Sequence, residues 1–134
     1  MPKDESRPAA MRFAIRFDPA FRVLCRALFL SPEESHVDVA EDLVHVKFSW
    51  SFRASFPRSS VASTRTSPER PLSRGVHGFA GRWLVNGAGD GILEIDFEPE
   101  QRAHVLGWPV RLRRLLVSVD DPNALAEALR GARG

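Results

Sequence analysis

Polar and apolar residues alternate along most of this chain, and the alternation predicts strands. Met11, Phe13, Ile15 and Phe17 are separated by Arg12, Ala14 and Arg16, which gives a first strand with one buried face. Val37 and Val39 mark a short second strand, and Ala40-Glu41-Asp42 a turn. Val44, Val46, Phe48, Trp50 and Phe52 then share one parity against His45, Lys47, Ser49, Ser51 and Arg53. That row predicts one long half-buried strand, bent near residues 49–51, that brings several aromatic rings into the core. Phe56-Pro57 ends it, and a short turn carries Val61 inward to a brief strand reaching about Thr64. Further on, Phe79, Trp83 and Val85 oppose Arg82, Leu84 and Asn86, while Leu93, Ile95 and Phe97 alternate with Glu94, Asp96 and Glu98. Asn86-Gly87 and the Gly-rich residues 87–91 predict a hairpin joining these two strands, the second ended by Pro99. Trp108, Val110 and Leu112 share one parity and Leu115, Val117 and Val119 the other, so a bulge or corner is expected at Arg113-Arg114.

Two stretches change period. Phe21, Leu24, Cys25, Leu28 and Phe29 recur at helical spacing after Asp18-Pro19, an N-cap followed by proline at the first helical position. They predict a short helix near residues 19–29 with one apolar face, stopped by Ser31-Pro32. A strand over the same residues is the alternative, from the looser alternation of Val23, Cys25 and Ala27. Asp120-Asp121-Pro122 caps a second helix carrying Leu125 and Leu129 with flanking alanines, and Gly131 stops it. The fold class that follows is α+β, mainly β: a bent antiparallel sheet or partly open barrel with a C-terminal helix. Residues 1–10 read as a disordered tail and residues 11–131 as a single globular domain.

Composition narrows the function. With 134 residues and a formal net charge of +2, a general nucleic-acid binder is not indicated. The basic residues are almost all arginine, and Arg53, Arg58, Arg65, Arg70, Arg74 and Arg82 meet only Glu69 between residues 51 and 82. That region is a candidate surface for an anionic partner, though solvated arginines explain it as well. Residues 63–75, rich in Ser, Thr, Pro and Arg, read as a surface loop. Cys25 stands alone and faces the core, where a thiol is inert. No apolar N-terminal segment or membrane span is present, and a cytoplasmic protein is expected.

The candidate chemistry is sparse. His36, His45, His77 and His104 show no metal-ligand spacing, and no nucleophile elbow occurs. No metal or cofactor is therefore expected. The Gly run after Asn86 lies between two strands and lacks a following Gly-Lys-Ser/Thr, so it is read as a turn rather than a phosphate cradle. Asp90, Glu94, Asp96 and Glu98 read as the wet face of an edge strand, where like charges oppose edge-to-edge pairing. The candidate ligand- or partner-binding residues are His77, flanked by Gly75, Gly78 and Gly81, with Arg82, Trp83, Asn86, Arg74 and Arg58.

Two signatures occur together: a strand leading into Phe56-Pro57-Arg58-Ser59-Ser60-Val61, and Leu116-Val117-Ser118-Val119-Asp120-Asp121-Pro122-Asn123-Ala124-Leu125 leading into the last helix. Over residues 37–130 the arrangement resembles uncharacterised bacterial proteins with a pleckstrin-homology-like barrel, and residues 81–97 look like the middle strands of such proteins. The resemblance implies a bent antiparallel sheet closed at one end by the C-terminal helix. Phosphoinositide-binding members carry a basic motif in the first strand–loop–strand, but here residues 40–42 are acidic, so head-group binding is not implied. The helix near 19–29 lies outside the simplest form of that fold.

Four functional readings follow. The first is a non-enzymatic protein-interaction or self-association module, through a protein partner or a homodimer. The second is a small-ligand carrier with an apolar cavity near Trp50, Trp83 and Trp108. The third is an enzyme using His77 with Asp90 or Asp96. The fourth is anion binding through the arginines of residues 53–82.

Overall fold

The computed structural model describes residues 11–67 and 75–130. The expected tail at 1–10, Arg74 and Gly131 lie outside them. The chain is mainly β with two helices. Strands β1 (Met11–Ala14), β2 (Ser35–Val39), β3 (Leu43–Phe48) and β4 (Phe52–Pro57) form an antiparallel meander, with helix α1 (Pro19–Ala27) inserted after β1. A 3₁₀ turn over Arg58–Ser60 leads to β5 (Val61–Thr66), as Pro57 and the buried Val61 predict. Then come β6 (Gly75–Phe79), β7 (Arg82–Asn86), the long β8 (Ile92–Val105), β9 (Trp108–Ser118) and helix α2 (Pro122–Arg130).

The sheet runs β1-β2-β3-β4-β8-β9-β7-β6, with β5 paired to β8 off this path. It is bent and unclosed. Past β1 the chain continues to Ile15 and Phe17, which bridge to Val119 and Gly87 and bring the first strand's extension against the end of β9. The sheet thus curls around Phe48, Phe52, Phe56, Leu112, Leu115 and Leu125, all buried. Close ring contacts join Phe56 to Phe97 at 4.6 Å and Phe17 to Phe48 at 5.4 Å. The Asp121 carboxylate accepts a hydrogen bond from the Ala124 N–H at 3.1 Å, so α2 starts with the cap its sequence predicts. Its Leu125, Ala126, Ala128 and Leu129 are buried, with the helix packed on β5 and β8.

Several sequence expectations are corrected. The row from Val44 to Phe52 is two strands, reversing at residues 49–51 with Ser49 at a φ of 49°. Both arms keep the parity of the row, so alternation alone does not reveal the reversal. Residues 82–97 are not a hairpin. β7 pairs antiparallel with β6 and parallel with β9, which makes the sheet mixed. Pro99 does not end its strand but lies within β8, where the register against β9 shifts between Asp96 and Gln101. That shift, opposite Arg113 and Arg114, is the bulge that the parity change on β9 predicts. β8 is central rather than an edge, with β4, β5 and β9 beside it.

Candidate functional site

Of the residues singled out from the sequence, His77, Arg82, Trp83 and Asn86 lie on the paired strands β6 and β7, while Arg58 lies apart from them against α2. His77 is exposed on β6, opposite Leu84. Trp83 is half-buried, its indole N–H donating to the Arg111 carbonyl at 3.0 Å, and its ring fills the space a side chain at Gly78 would need. The glycine beside His77 therefore serves close packing of Trp83. Asn86 is fully buried, with its amide donating to the Ala88 carbonyl at 2.9 Å. Arg58 donates to the carbonyls of Ala40, Glu41 and Ala128, tying the β2–β3 turn to α2. Both Asn86 and Arg58 hold the fold. Arg82 lines a shallow depression with Ala80, Asp96, Phe97, Arg113 and Arg114.

The acidic face of β8 is also different from its sequence reading. Glu94 is buried, with Arg65 at 3.3 Å and Arg114 at 3.4 Å from its carboxylate. Arg114 also grips Asp96 through two nitrogens, at 2.5 and 3.3 Å, which raises the pKa of its guanidinium. Asp90 meets Arg16 at 3.0 Å. These carboxylates are matched to arginines rather than held apart from each other by repulsion. No group of three or more His, Cys, Asp or Glu among the described residues is placed to hold a metal.

One end of the molecule does gather unusual side chains. Of the nine large apolar side chains exposed among the described residues, seven lie on α1, its C-terminal turn, the turns after β3 and β8, or the first residue of β9. They are Val23, Leu24, Leu28, Phe29, Trp50, Leu106 and Trp108, with Phe29 85% and Trp108 75% exposed. The helical face expected to pack inward is thus shallowly seated. Cys25 is buried and Phe21 partly so, but Leu24, Leu28 and Phe29 face solvent. Burial raises the pKa of the Cys25 thiol, so the thiol is held protonated and unreactive. Trp50 and Trp108 continue inward-facing rows of β3 and β9 past the end of the core.

Hydrogen bonds hold this end in place. The Trp50 indole donates to the Phe29 carbonyl at 2.9 Å, and the Ser31 N–H to the Ser49 hydroxyl at 2.9 Å. The Leu106 N–H donates to the Ser51 carbonyl at 2.9 Å and joins the β8–β9 turn to the β3–β4 turn. The backbone there is strained. The Leu30 N–H donates to the Cys25 carbonyl at 2.8 Å and the Phe29 N–H to the Arg26 carbonyl at 3.2 Å. That is the helix-terminating pattern whose left-handed residue is usually glycine. Here Phe29 takes it, at a φ of 62°. In the two-residue turn after β8, Leu106 and Gly107 have φ of 52° and 87°, a geometry for which Asn-Gly is the favoured pair. An L-residue in this region costs about 1 kcal/mol or more, and a bulky apolar one gains no local hydrogen bond from being there. Sequence alternation could not single out these positions, because neither residue belongs to a regular element.

No protein-family model, curated protein or solved structure matches the chain. Among the described residues, no helix is long and apolar enough to cross a membrane.

Proposed function

We propose that this protein is a non-enzymatic interaction or self-association module and that its contact surface is the apolar end formed by Leu24, Leu28, Phe29, Trp50, Leu106 and Trp108. One observation carries the reading: Phe29 and Leu106 are both held in left-handed backbone while their side chains project into water. Folding alone would favour glycine or asparagine at both positions. Strain retained where it exposes apolar surface is the pattern of a site kept for contact. Large rings on a hydrogen-bonded scaffold make good anchors, because little order remains to be imposed on binding.

The test is sedimentation velocity over a wide concentration range, on the wild type and on Phe29→Gly/Leu106→Asn. Self-association predicts a sedimentation coefficient that rises with concentration for the wild type and stays monomeric for the variant. A wild type that stays monomeric leaves a separate protein partner, which peptide selection against the same two proteins detects. Identical behaviour of the two proteins in both experiments would remove this end from consideration.

A further inference from the structure

The apolar end adjoins a face of unusual charge. On the outer side of the sheet, register places Lys47 opposite Arg53 on β3 and β4, and Arg53 opposite His104 on β4 and β8. Arg102 stands opposite Arg111 on β8 and β9. Like charges directly opposed across strands destabilise a sheet. Arg82 likewise stands opposite Arg114 on β7 and β9, but Arg12, Arg16, Arg26, Arg65, Arg111, Arg114 and Arg130 each pair with a carboxylate. Lys47 has Glu34 at 3.5 Å. Arg53 and Arg102 make no ion pair with any described residue, and with Ser55 and His104 they line a shallow depression. The two surfaces are continuous. They meet at one end of the sheet: Arg53 stands three residues after Trp50 of the β3–β4 turn, and its partner His104 two residues before Leu106 of the β8–β9 turn, while Phe52, Val105 and Trp108 face the other side.

From this continuity we infer that the partner of the apolar end is a protein segment in which acidic residues lie beside aliphatic or aromatic ones. Its apolar side chains pack on Phe29, Leu106 and Trp108, and its carboxylates reach Arg53 and Arg102. The inference rests on the interaction reading above. A two-fold related second copy is disfavoured, because the patch it would present, with Phe29, Leu106, Trp108, Arg53 and Arg102, carries no carboxylate among its described residues to meet these cations. A nucleic acid fits less well. Phe29, Trp50 and Trp108 offer rings on which bases stack, but Leu24, Leu28 and Leu106, half of the patch, do not.

The experiment is selection of a displayed random 12-residue peptide library on the whole protein, followed by fluorescence anisotropy of the enriched peptides. The expected result is enrichment of Asp or Glu next to Leu, Phe or Trp, with affinity that weakens as salt rises through the range where exposed charges are screened. Arg53→Glu/Arg102→Glu should weaken binding by about tenfold or more, and Phe29→Gly/Leu106→Asn should abolish it. Enriched peptides that are neutral or basic, or binding unchanged by the charge reversal, would overturn the acidic partner while leaving the apolar contact standing. Binding lost on charge reversal but kept in Phe29→Gly/Leu106→Asn would overturn the apolar contact instead. No enrichment at all, or tighter binding of an oligo-dT strand than of any selected peptide, overturns the inference.

Discussion

Two turns in this protein share one backbone and differ in everything else. Ala80-Gly81 joins β6 to β7 with φ of 56° and 87°, and Leu106-Gly107 joins β8 to β9 with φ of 52° and 87°. Gly81 is buried under β9, where an added Cβ would lie 2.9 Å from Arg113 Cδ, and its carbonyl accepts the Arg113 and Arg114 N–H groups. Around Gly107 nothing lies within 4 Å of such a Cβ. The first turn is a packing device and carries the smallest side chain that has a Cβ. The second turn contributes nothing to the core, yet it carries a leucine. The same geometry therefore serves structure in one place and presentation in the other, and only the side chains tell which.

The comparison can be broken along β9, where the inward row starts in the core and ends in solvent. Leu112→Ala should lose about 2–5 kcal/mol, because Leu112 is fully buried. Trp108→Ala, two steps along the same row, should stay within about 0.5 kcal/mol of the wild type. Urea denaturation of both variants measures this, and comparable losses would mean that Trp108 is part of the core after all. At the turns, Gly81→Ala should lose about 2 kcal/mol, from left-handed strain plus the clash with Arg113, and Gly107→Ala about 1 kcal/mol from strain alone. Equal losses would show that crowding does not separate the two. Phe29→Gly and Leu106→Asn should each raise stability, by up to about 1 kcal/mol. A loss of stability at either position would mean that its exposed side chain helps to hold the fold.

The smallest expected effect is a pH dependence that belongs to β2 and to neither turn. Desolvation lowers the pKa of His36 from its ordinary 6.5, Asp38 opposing and Arg12 and Lys47 adding to the shift. A hydrogen bond from Arg12 lowers that of Asp38 from its ordinary 3.8. Both groups are depressed on folding, so each contributes stability above its unfolded value that is lost as pH falls. The His36 contribution goes first, below 6.5, and the Asp38 contribution only below 3.8. Melting curves from pH 8 to 5 should show a shallow fall in the wild type that His36→Asn flattens. An unchanged slope in that variant would assign the fall to other groups.

Much of the fold was legible in the sequence. Alternation located the β2 row, the burial of Val61 and both parities of β9, while Asp-Pro pairs located the starts of both helices. What it could not give follows from what a period measures. Parity tells which side of a sheet a residue faces, not how far along the sheet the core extends, so Trp50 and Trp108 read as interior. The reversal at residues 49–51 carries neither glycine nor proline, the usual punctuation of a turn. The parallel pairing of β7 with β9 depends on contacts remote in sequence, whereas Asn86-Gly87 favoured the local hairpin. At the candidate site the useful signal was a mismatch: a phenylalanine where a helix end takes glycine, and a leucine where a tight hairpin takes asparagine.

The position of β8 has a consequence for how the protein is made. The meander from β1 to β4 is complete once residue 57 has left the ribosome, because each strand pairs with one already present. β5 has no such neighbour: its ladder among the described residues is to Leu93, Glu94, Ile95, Asp96 and Phe97 of β8. During synthesis it must wait for more than thirty further residues, an interval on the order of seconds. Throughout that time Val61 and Phe56 lack the β8 side chains that cover them, Phe97 among them. The nascent chain is most exposed to misassociation after its first four strands have formed and before its central one arrives.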